Sequence, residues 1–327
     1  MQENKRKIVL LVCCIIAVIL ISSLLVVFIL KSSNNEQPKP IVKIGYLSIA
    51  PDLSFFVALD QGYFEKQGLQ VEPVKFESSN QAIDALVANK IDGTSIVALE
   101  ALLSVEDKYP NEFKIFEMAA AEETSTVHKI LVMKDSDING LSDLEGKTIG
   151  TQPGSQMTAF LKLVLKNYID TSKINIVQLA PSLQVQALAS GQVDALFALE
   201  PVGTVAESKG IAKVISVNPL YKELLKPFPT SVSAFSQEFV TNNPKTVQKY
   251  ILAIESAHKF IEANETEAKK SLSTYANINE NITDKVGIYS YWSRNQIDIN
   301  AVDKLVDLYV SNGILKNKVS IKNVILS

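Results

Sequence analysis

The stretch Gly146-Lys147-Thr148-Ile149-Gly150-Thr151-Gln152-Pro153-Gly154-Ser155 decides the fold. It reads as a short strand ending at Gly150, a tight Thr/Pro/Gly/Ser turn, and a helix starting from that turn. Such a turn aims free backbone N–H groups and the positive end of a helix dipole at whatever lies in front of it. One such turn is an ordinary strand-to-helix connection, but this one has a second copy. Ala85-Leu86-Val87-Ala88-Asn89-Lys90-Ile91-Asp92-Gly93 aligns without gaps on Ala187-Leu188-Ala189-Ser190-Gly191-Gln192-Val193-Asp194-Ala195, and Ile44-Gly45 echoes Ile149-Gly150. A repeat of roughly a hundred residues is too long for a solenoid and suits two lobes of one protein.

Working outward, each copy is a strand-turn-helix-strand-helix-strand unit. In the first, residues 41–47 and 69–76 alternate as strands, 55–64 and 79–89 have helical periodicity, and 91–95 is a short strand. A helix over 98–105 and a strand over 113–120 follow. In the second, 128–133 opens with a strand, 135–146 is a polar loop with a short helix, and 158–167 and 184–190 are helices. Strands at 174–179 and 193–195 complete it. Units of this kind form a parallel sheet covered on both faces and bind ligands beyond the carboxyl ends of the strands. After a strand at 211–217, Pro227-Phe228-Pro229 breaks any helix. Ser231 to Phe235 then crosses back to the first lobe as a strand. Pro244 opens a long helix over 245–264, and further helices are expected over 267–275, 282–293 and 301–312. The boundaries expected are 41–124 with 231–327 for lobe 1 and 125–230 for lobe 2.

The composition excludes several chemistries. The 327 residues carry 32 Lys and Arg against 35 Asp and Glu, a net charge of -3, so nothing recommends nucleic acid as a partner. Beyond the N-terminal segment the only arginine is Arg294, so no arginine cluster clamps phosphates. Both cysteines, Cys13 and Cys14, lie in the apolar N-terminal run. The body therefore has no disulfide, thiol nucleophile or cysteine metal site. His128 and His258 show no metal-ligand spacing and no acid–base partner, and no cofactor is expected.

Residues 8–30 are almost uninterrupted Val, Ile, Leu, Phe and Ala. At about 1.5 Å per residue they can cross a bilayer core of about 30 Å. Lys5, Arg6 and Lys7 precede them, which keeps residues 1–7 cytoplasmic and sends the body outside. A cleaved signal would have a shorter apolar core and an Ala-x-Ala site, and a lipidated Cys14 would not follow Cys13. The expectation is one transmembrane helix over 8–30, a polar tether over 31–40, and a body on the extracytoplasmic side of the cell membrane.

With both copies laid out, the chain resembles the substrate-binding proteins of ABC importers in the nitrate/taurine/alkanesulfonate/thiamine-precursor (NitT/TauT) family. The residues that carry this are Val42-Lys43-Ile44-Gly45-Tyr46, Gln61-Gly62-Tyr63-Phe64-Glu65-Lys66-Gln67-Gly68-Leu69 and Ile91-Asp92-Gly93 in the first copy. Asp143-Leu144-Glu145-Gly146-Lys147-Thr148-Ile149-Gly150, Gly191-Gln192-Val193-Asp194-Ala195 and Glu200-Pro201 follow, then Phe239-Val240-Thr241-Asn242-Asn243-Pro244 and Asn312-Gly313-Ile314-Leu315. The resemblance implies an α/β, bilobed periplasmic-binding-protein fold of type II, with two Rossmann-like lobes joined by two crossing strands. It also implies a monomeric, non-catalytic receptor that closes on a small solute and delivers it to permease and ATPase subunits. Sulfonate, nitrate or a pyrimidine is the kind of solute implied. The alternatives are an extracellular sensor domain and a thiamine-pyrimidine-synthase-like enzyme on the same fold. The latter chemistry needs a cofactor lysine and a reactive His/Cys centre, which the body does not offer.

The candidate ligand contacts come from turns that face the cleft between lobes. They are Ser48, Ala50 and Pro51, then Thr94 and Ser95, then Thr151, Gly154, Ser155 and Gln156, and finally Glu200. Hydroxyls beside helix-end N–H groups suit a sulfonate or carboxylate. Glu200 instead suits an ammonium or a ring N–H. Asp92 and Asp194 are expected to hold their turns. Glu122 and Glu123 lie near the hinge, and Trp292 and Arg294 are the C-terminal residues that would reach the cleft rim.

Overall fold

Gly45 and Gly150 hold matching places in two sheets. A Cβ on Gly45 would fall 2.7 Å from Ile91 Cδ1, and one on Gly150 would fall 2.8 Å from Leu196 Cδ2. Glycine at each place leaves room for a side chain at or beside the third strand of its unit. The computed structural model describes Met1 and residues 39–326. The expected membrane anchor at 8–30, and nearly all of the segments flanking it, lie outside the described residues. Among the described residues no helix is long and apolar enough to cross a membrane.

Eleven strands are described: β1 (Ile41–Leu47), β2 (Gln70–Phe76), β3 (Gly93–Ala98), β4 (Phe113–Ala121), β5 (His128–Met133), β6 (Thr148–Thr151), β7 (Asn175–Gln178), β8 (Ala195–Leu199), β9 (Ala212–Val217), β10 (Phe228–Ser236) and β11 (Ser290–Ser293). We number the longer helices α1 (Leu53–Asp60), α2 (Ser79–Val87), α3 (Leu99–Lys108), α4 (Ser155–Leu165), α5 (Pro181–Ala189), α6 (Val202–Ser208), α7 (Pro244–Ala263) and α8 (Ile299–Ser311). One sheet runs β2-β1-β3-β10-β4-β11 and the other β7-β6-β8-β5-β9. Ile41–Ser327 is one compact unit that contains both.

Each repeat supplies three parallel strands, β2-β1-β3 and β7-β6-β8, as expected. The remaining strands each pair antiparallel with their neighbours, so neither sheet is wholly parallel. The repeat extends to single atoms. The Asp92 carboxylate accepts from the Lys43 N–H at 2.7 Å, and Asp194 accepts from the Thr148 N–H at 2.7 Å. Both aspartates hold their turns in place.

β3 bulges at Ser95 and Ile96 opposite Ser233. A bulge leaves backbone donors outside the ladder. Asp52 meets them: its buried carboxylate accepts from the Ile96 N–H at 2.9 Å, from the Leu47 N–H at 3.0 Å, and from the Ser95 hydroxyl. One side chain thus ties the end of β1 to the bulge of β3.

Two expected helices are not as read. Residues 267–275 divide between two short helices, Glu265–Ala268 and Ser271–Tyr275. Residues 282–293 are not a helix: a 3-10 turn, Glu280–Lys285, gives way to β11, which pairs antiparallel with Glu117 to Ala120. Gly287 explains the change. A Cβ there would lie 2.6 Å from the Thr126 carbonyl carbon, so the chain is pressed flat against the segment that leaves β4. Beyond it, Tyr291 and Trp292 add to the open edge of β4, where aromatic residues favour a strand. Helical periodicity yielded to a tertiary pairing that the local pattern does not encode.

Two buried titratable groups pull stability in opposite directions with pH. Burial pushes His128 down to about 3. The unfolded chain binds that proton near 6.5, so stability falls as pH drops between these values. Burial pushes Asp52 up to about 7 against the hydrogen bonds of Ser95, Ile96 and Leu47, with Glu117 adding to the rise. Its contribution is fully present below about 3.9 and is lost as pH rises through about 7. Replacing His128 with Gln removes one arm. In urea titrations the difference between variant and parent should move in the variant's favour from pH 6.5 downward, by at most about 1.4 kcal/mol per pH unit. Parallel pH profiles would show that His128 is not neutral in the folded chain.

Candidate functional site

The two sheets face one another across a cleft, and their third strands point their ends into it. The cleft has two compartments. The outer is a chamber of about 360 Å³, walled on one side by Leu47, Ser48 and Phe76 and on the other by Pro181, Val185 and Val205. The inner is a gap of about 30 Å³ bordered by Asn80, Ala98, Gly154, Gln156 and Ser231. Ile49 and Gln152 border both.

The gap lies where helix N-termini converge. α2 begins at Ser79, α3 at Leu99 and α4 at Ser155. The first N–H groups of each helix have no carbonyl within the helix to accept them. The Ser79 hydroxyl accepts the Ala98 N–H at 3.0 Å, joining two of these ends. Gly154 has φ +136°, a conformation that glycine adopts without strain, and it caps α4. This turn therefore folds as it does because of the Pro153-Gly154-Ser155 sequence.

The structure brings some sequence-derived candidates to the cleft and turns others inward. Ser48 lines the chamber, and Gly154 and Gln156 line the gap. The Ala50 N–H donates across the cleft to the Glu200 carbonyl at 3.0 Å. The Pro51 carbonyl accepts from the Tyr291 hydroxyl at 3.1 Å. Thr94 donates to the Ala234 carbonyl at 3.5 Å, Ser95 to Asp52, and Thr151 to the Phe197 carbonyl at 3.1 Å. Those three hydroxyls hold strands together.

Glu200 is 1% exposed. Its carboxylate takes Lys129 Nζ at 2.7 Å, the Thr204 N–H at 3.0 Å and the Thr204 hydroxyl at 2.9 Å. Lys129 also reaches Glu207 at 2.8 Å. Burial works against the charge of this lysine, but attraction to the two carboxylates outweighs it and raises its pKa. The Glu200 carboxylate is thus already filled from within its own half of the molecule.

Two residues central to the cleft were not singled out in the sequence. Glu100, near the start of α3, is 4% exposed and crosses to the other sheet's helix. It accepts from the Ser155 hydroxyl at 2.8 Å, and its N–H donates to the Gln156 side-chain oxygen at 3.1 Å. Burial raises its carboxyl against the Ser155 and Ser104 hydroxyls. A signal was available: Ala98-Leu99-Glu100 and Ala198-Leu199-Glu200 are the same tripeptide at the ends of β3 and β8. The second residue is Gln152. It is 5% exposed, borders both compartments, and its side-chain amide has no partner among the described residues.

Residues expected near the hinge lie apart from this cleft. The Trp292 ring N–H donates to Glu122 at 3.1 Å, and both line a cavity of about 610 Å³ against Thr124 to Thr126 and His258. Arg294 lines neither compartment of the cleft. His128 is buried, with its ring stacked on Phe197 and its Nδ1 3.0 Å from the Tyr289 hydroxyl. Among the described residues no group of His, Cys, Asp or Glu is placed to hold a metal.

A sequence model of the NMT1-like family matches residues 35–276. A Bacillus subtilis protein, whose name assigns it provisionally to binding aliphatic sulfonates, is 26% identical over 240 residues, 70% of this chain and 68% of that protein. The alkanesulfonate-binding protein SsuA from Xanthomonas axonopodis pv. citri, solved with MOPS bound, superimposes with a TM-score of 0.71. That match has 20% identity and covers 88% of this chain and 98% of SsuA. The desulfurization enzyme DSZB also shares the fold, with a TM-score of 0.64 at 13% identity over 88% of this chain and 96% of the enzyme.

Removing the cation from the Lys129–Glu200 pair strands a buried carboxylate behind the cleft wall. Lys129→Ala should cost about 3–5 kcal/mol in urea denaturation. Lys129→Ala together with Glu200→Gln should recover much of that loss; a double variant no better than the single would show that the pair is not the source.

Proposed function

Because the chain belongs to the NMT1-like family, we propose that it is the extracytoplasmic substrate-binding component of an ABC importer. In this reading it captures a small solute between its lobes, closes over it by hinge motion and presents it to permease and ATPase subunits. The lobes are 41–124 with 231–327, and 125–230. Closure turns on the two segments that join the sheets, between β4 and β5 and between β9 and β10. Residues 8–30 anchor the chain as a single membrane-spanning helix, with the body, a monomer, outside.

Gln152 is the observation that carries the reading. Its side-chain amide makes no hydrogen bond among the described residues and opens on the cleft, where a solute can reach it. It sits between a chamber of small-molecule size and a gap ringed by helix N-termini. Asn80 and Ser231 border the same gap, and no side chain bonds theirs among the described residues. Neutral donors beside helix ends favour an oxyanion head such as a sulfonate or carboxylate. The sulfonate names of the Bacillus relative and of SsuA support that choice over nitrate or a pyrimidine. The receptor reading is favoured over an enzyme because none of the residues bordering the gap is a nucleophile paired with a base.

A thermal-shift screen of the full chain against sulfonates, carboxylates, nitrate and pyrimidines tests this. A solute at a hundred times its Kd should stabilise the fold by about 2.7 kcal/mol. Chemical turnover of a stabilising compound would overturn the receptor reading. Gly154→Val should abolish the shift while the unliganded protein still melts cooperatively, since valine is strained at this φ and faces the Asn80 side chain. Unchanged affinity would remove the turn from the site.

A further inference from the structure

Lys75, on β2, and Lys209, just past α6, stand on opposite walls of the outer chamber, one beside each sheet. Lys209 has no ion-pair partner among the described residues. Lys75 reaches only Glu77, at 3.9 Å, with both side chains about half exposed. Glu77 is the one acidic residue of the chamber, against two lysines. Phe76, Val185, Val205 and Ile278 supply hydrocarbon to the same chamber, which Gln152 also lines.

One chamber thus offers three kinds of contact: the unpartnered amide of Gln152, hydrocarbon, and a cation from each wall. An anion with a plain alkyl tail would use the first two and leave the two ammonium groups unused.

We propose that the ligand is an α,ω-dianion: an oxyanion head at Gln152, a short carbon chain along Phe76 and Val205, and a second anionic group held at the rim by Lys75 and Lys209. A sulfonate with a carboxylate at its other end is the chemical class that fits. The proposal rests on the cleft being the solute site. It adds that Lys75 and Lys209 decide which solutes are taken, and that each lysine helps draw its wall of the cleft onto the ligand.

Isothermal titration calorimetry on the full chain, with 4-sulfobutanoate and butane-1-sulfonate as probes, separates the two ideas. The probes share a sulfonate head and similar length and differ at the far end. The dianion should bind about fivefold tighter or better at low salt, and the advantage should shrink as salt screens the half-exposed lysines. Lys209→Gln and Lys75→Gln should each reduce the preference and leave butane-1-sulfonate affinity within about twofold. Equal affinity for the two probes, or a preference unchanged in both variants, would overturn this inference while butane-1-sulfonate binding left the receptor reading intact. Binding of neither probe would overturn both the inference and the sulfonate reading.

Discussion

β4 and β10 lie antiparallel in one sheet; β4 passes the chain to the other sheet and β10 receives it back, so the geometry across the cleft is inherited from this pair. Glu117 of β4 ties it together. It is 1% exposed, accepts from the Ser233 hydroxyl of β10, and sits 2.6 Å from His258 Nε2 on α7. Burial alone would raise this carboxyl, but His258, Ser233 and Ser54 outweigh it and hold it below its ordinary value. A buried carboxylate satisfied from two strands and a helix fixes their relative position, because losing any one partner leaves charge uncompensated. Ser233 also faces the β3 bulge that Asp52 closes. The strand that opens the cleft floor and the strands that carry the crossing thus share one connected set of polar contacts.

The repeat was legible in the sequence because it is a backbone property. Gly45 and Gly150, and Asp92 and Asp194, occupy positions where close side-chain approach or a free N–H favours that residue type, and such preferences leave the same letters in both copies. The long helix opened by Pro244 was legible for the same reason: its signals are local. The strand Ser290–Ser293 was not, since what fixes it is an open edge of β4 and the close approach of Gly287 to Thr126, more than a hundred positions away in the sequence.

The site was legible only in outline. The turns were found, but not which of their side chains are free. Thr94, Ser95 and Thr151 have the right chemistry for a ligand and the wrong direction, and direction depends on what lies across the strand. Gln152 shows the reverse. Nothing in Thr151-Gln152-Pro153 separates it from its neighbours until folding leaves its amide unpartnered at the cleft.

The two Ala-Leu-Glu copies show how one local sequence is put to different uses by its surroundings. In the second copy, Lys129 on β5 neutralises Glu200 at 2.7 Å, so the carboxylate is settled inside its own sheet and leaves only its carbonyl for Ala50. In the first, no lysine among the described residues meets Glu100, and its carboxylate turns to Ser155 at the start of α4. A helix N-terminus stabilises a carboxylate there by its dipole and hydroxyl, without the cost of burying a cation. The contact joins the two halves of the molecule beside the gap, using the same kind of donors that would meet an incoming oxyanion. The Glu100–Ser155 contact and capture of an oxyanion head, on the function proposed here, therefore draw on one source of positive potential at the gap, the converging helix ends. That source is weak and short-ranged compared with a guanidinium, and the body's one arginine lies outside the cleft. Affinity for the oxyanion head must then come from how completely the closed cleft excludes water around neutral donors such as the Gln152 amide.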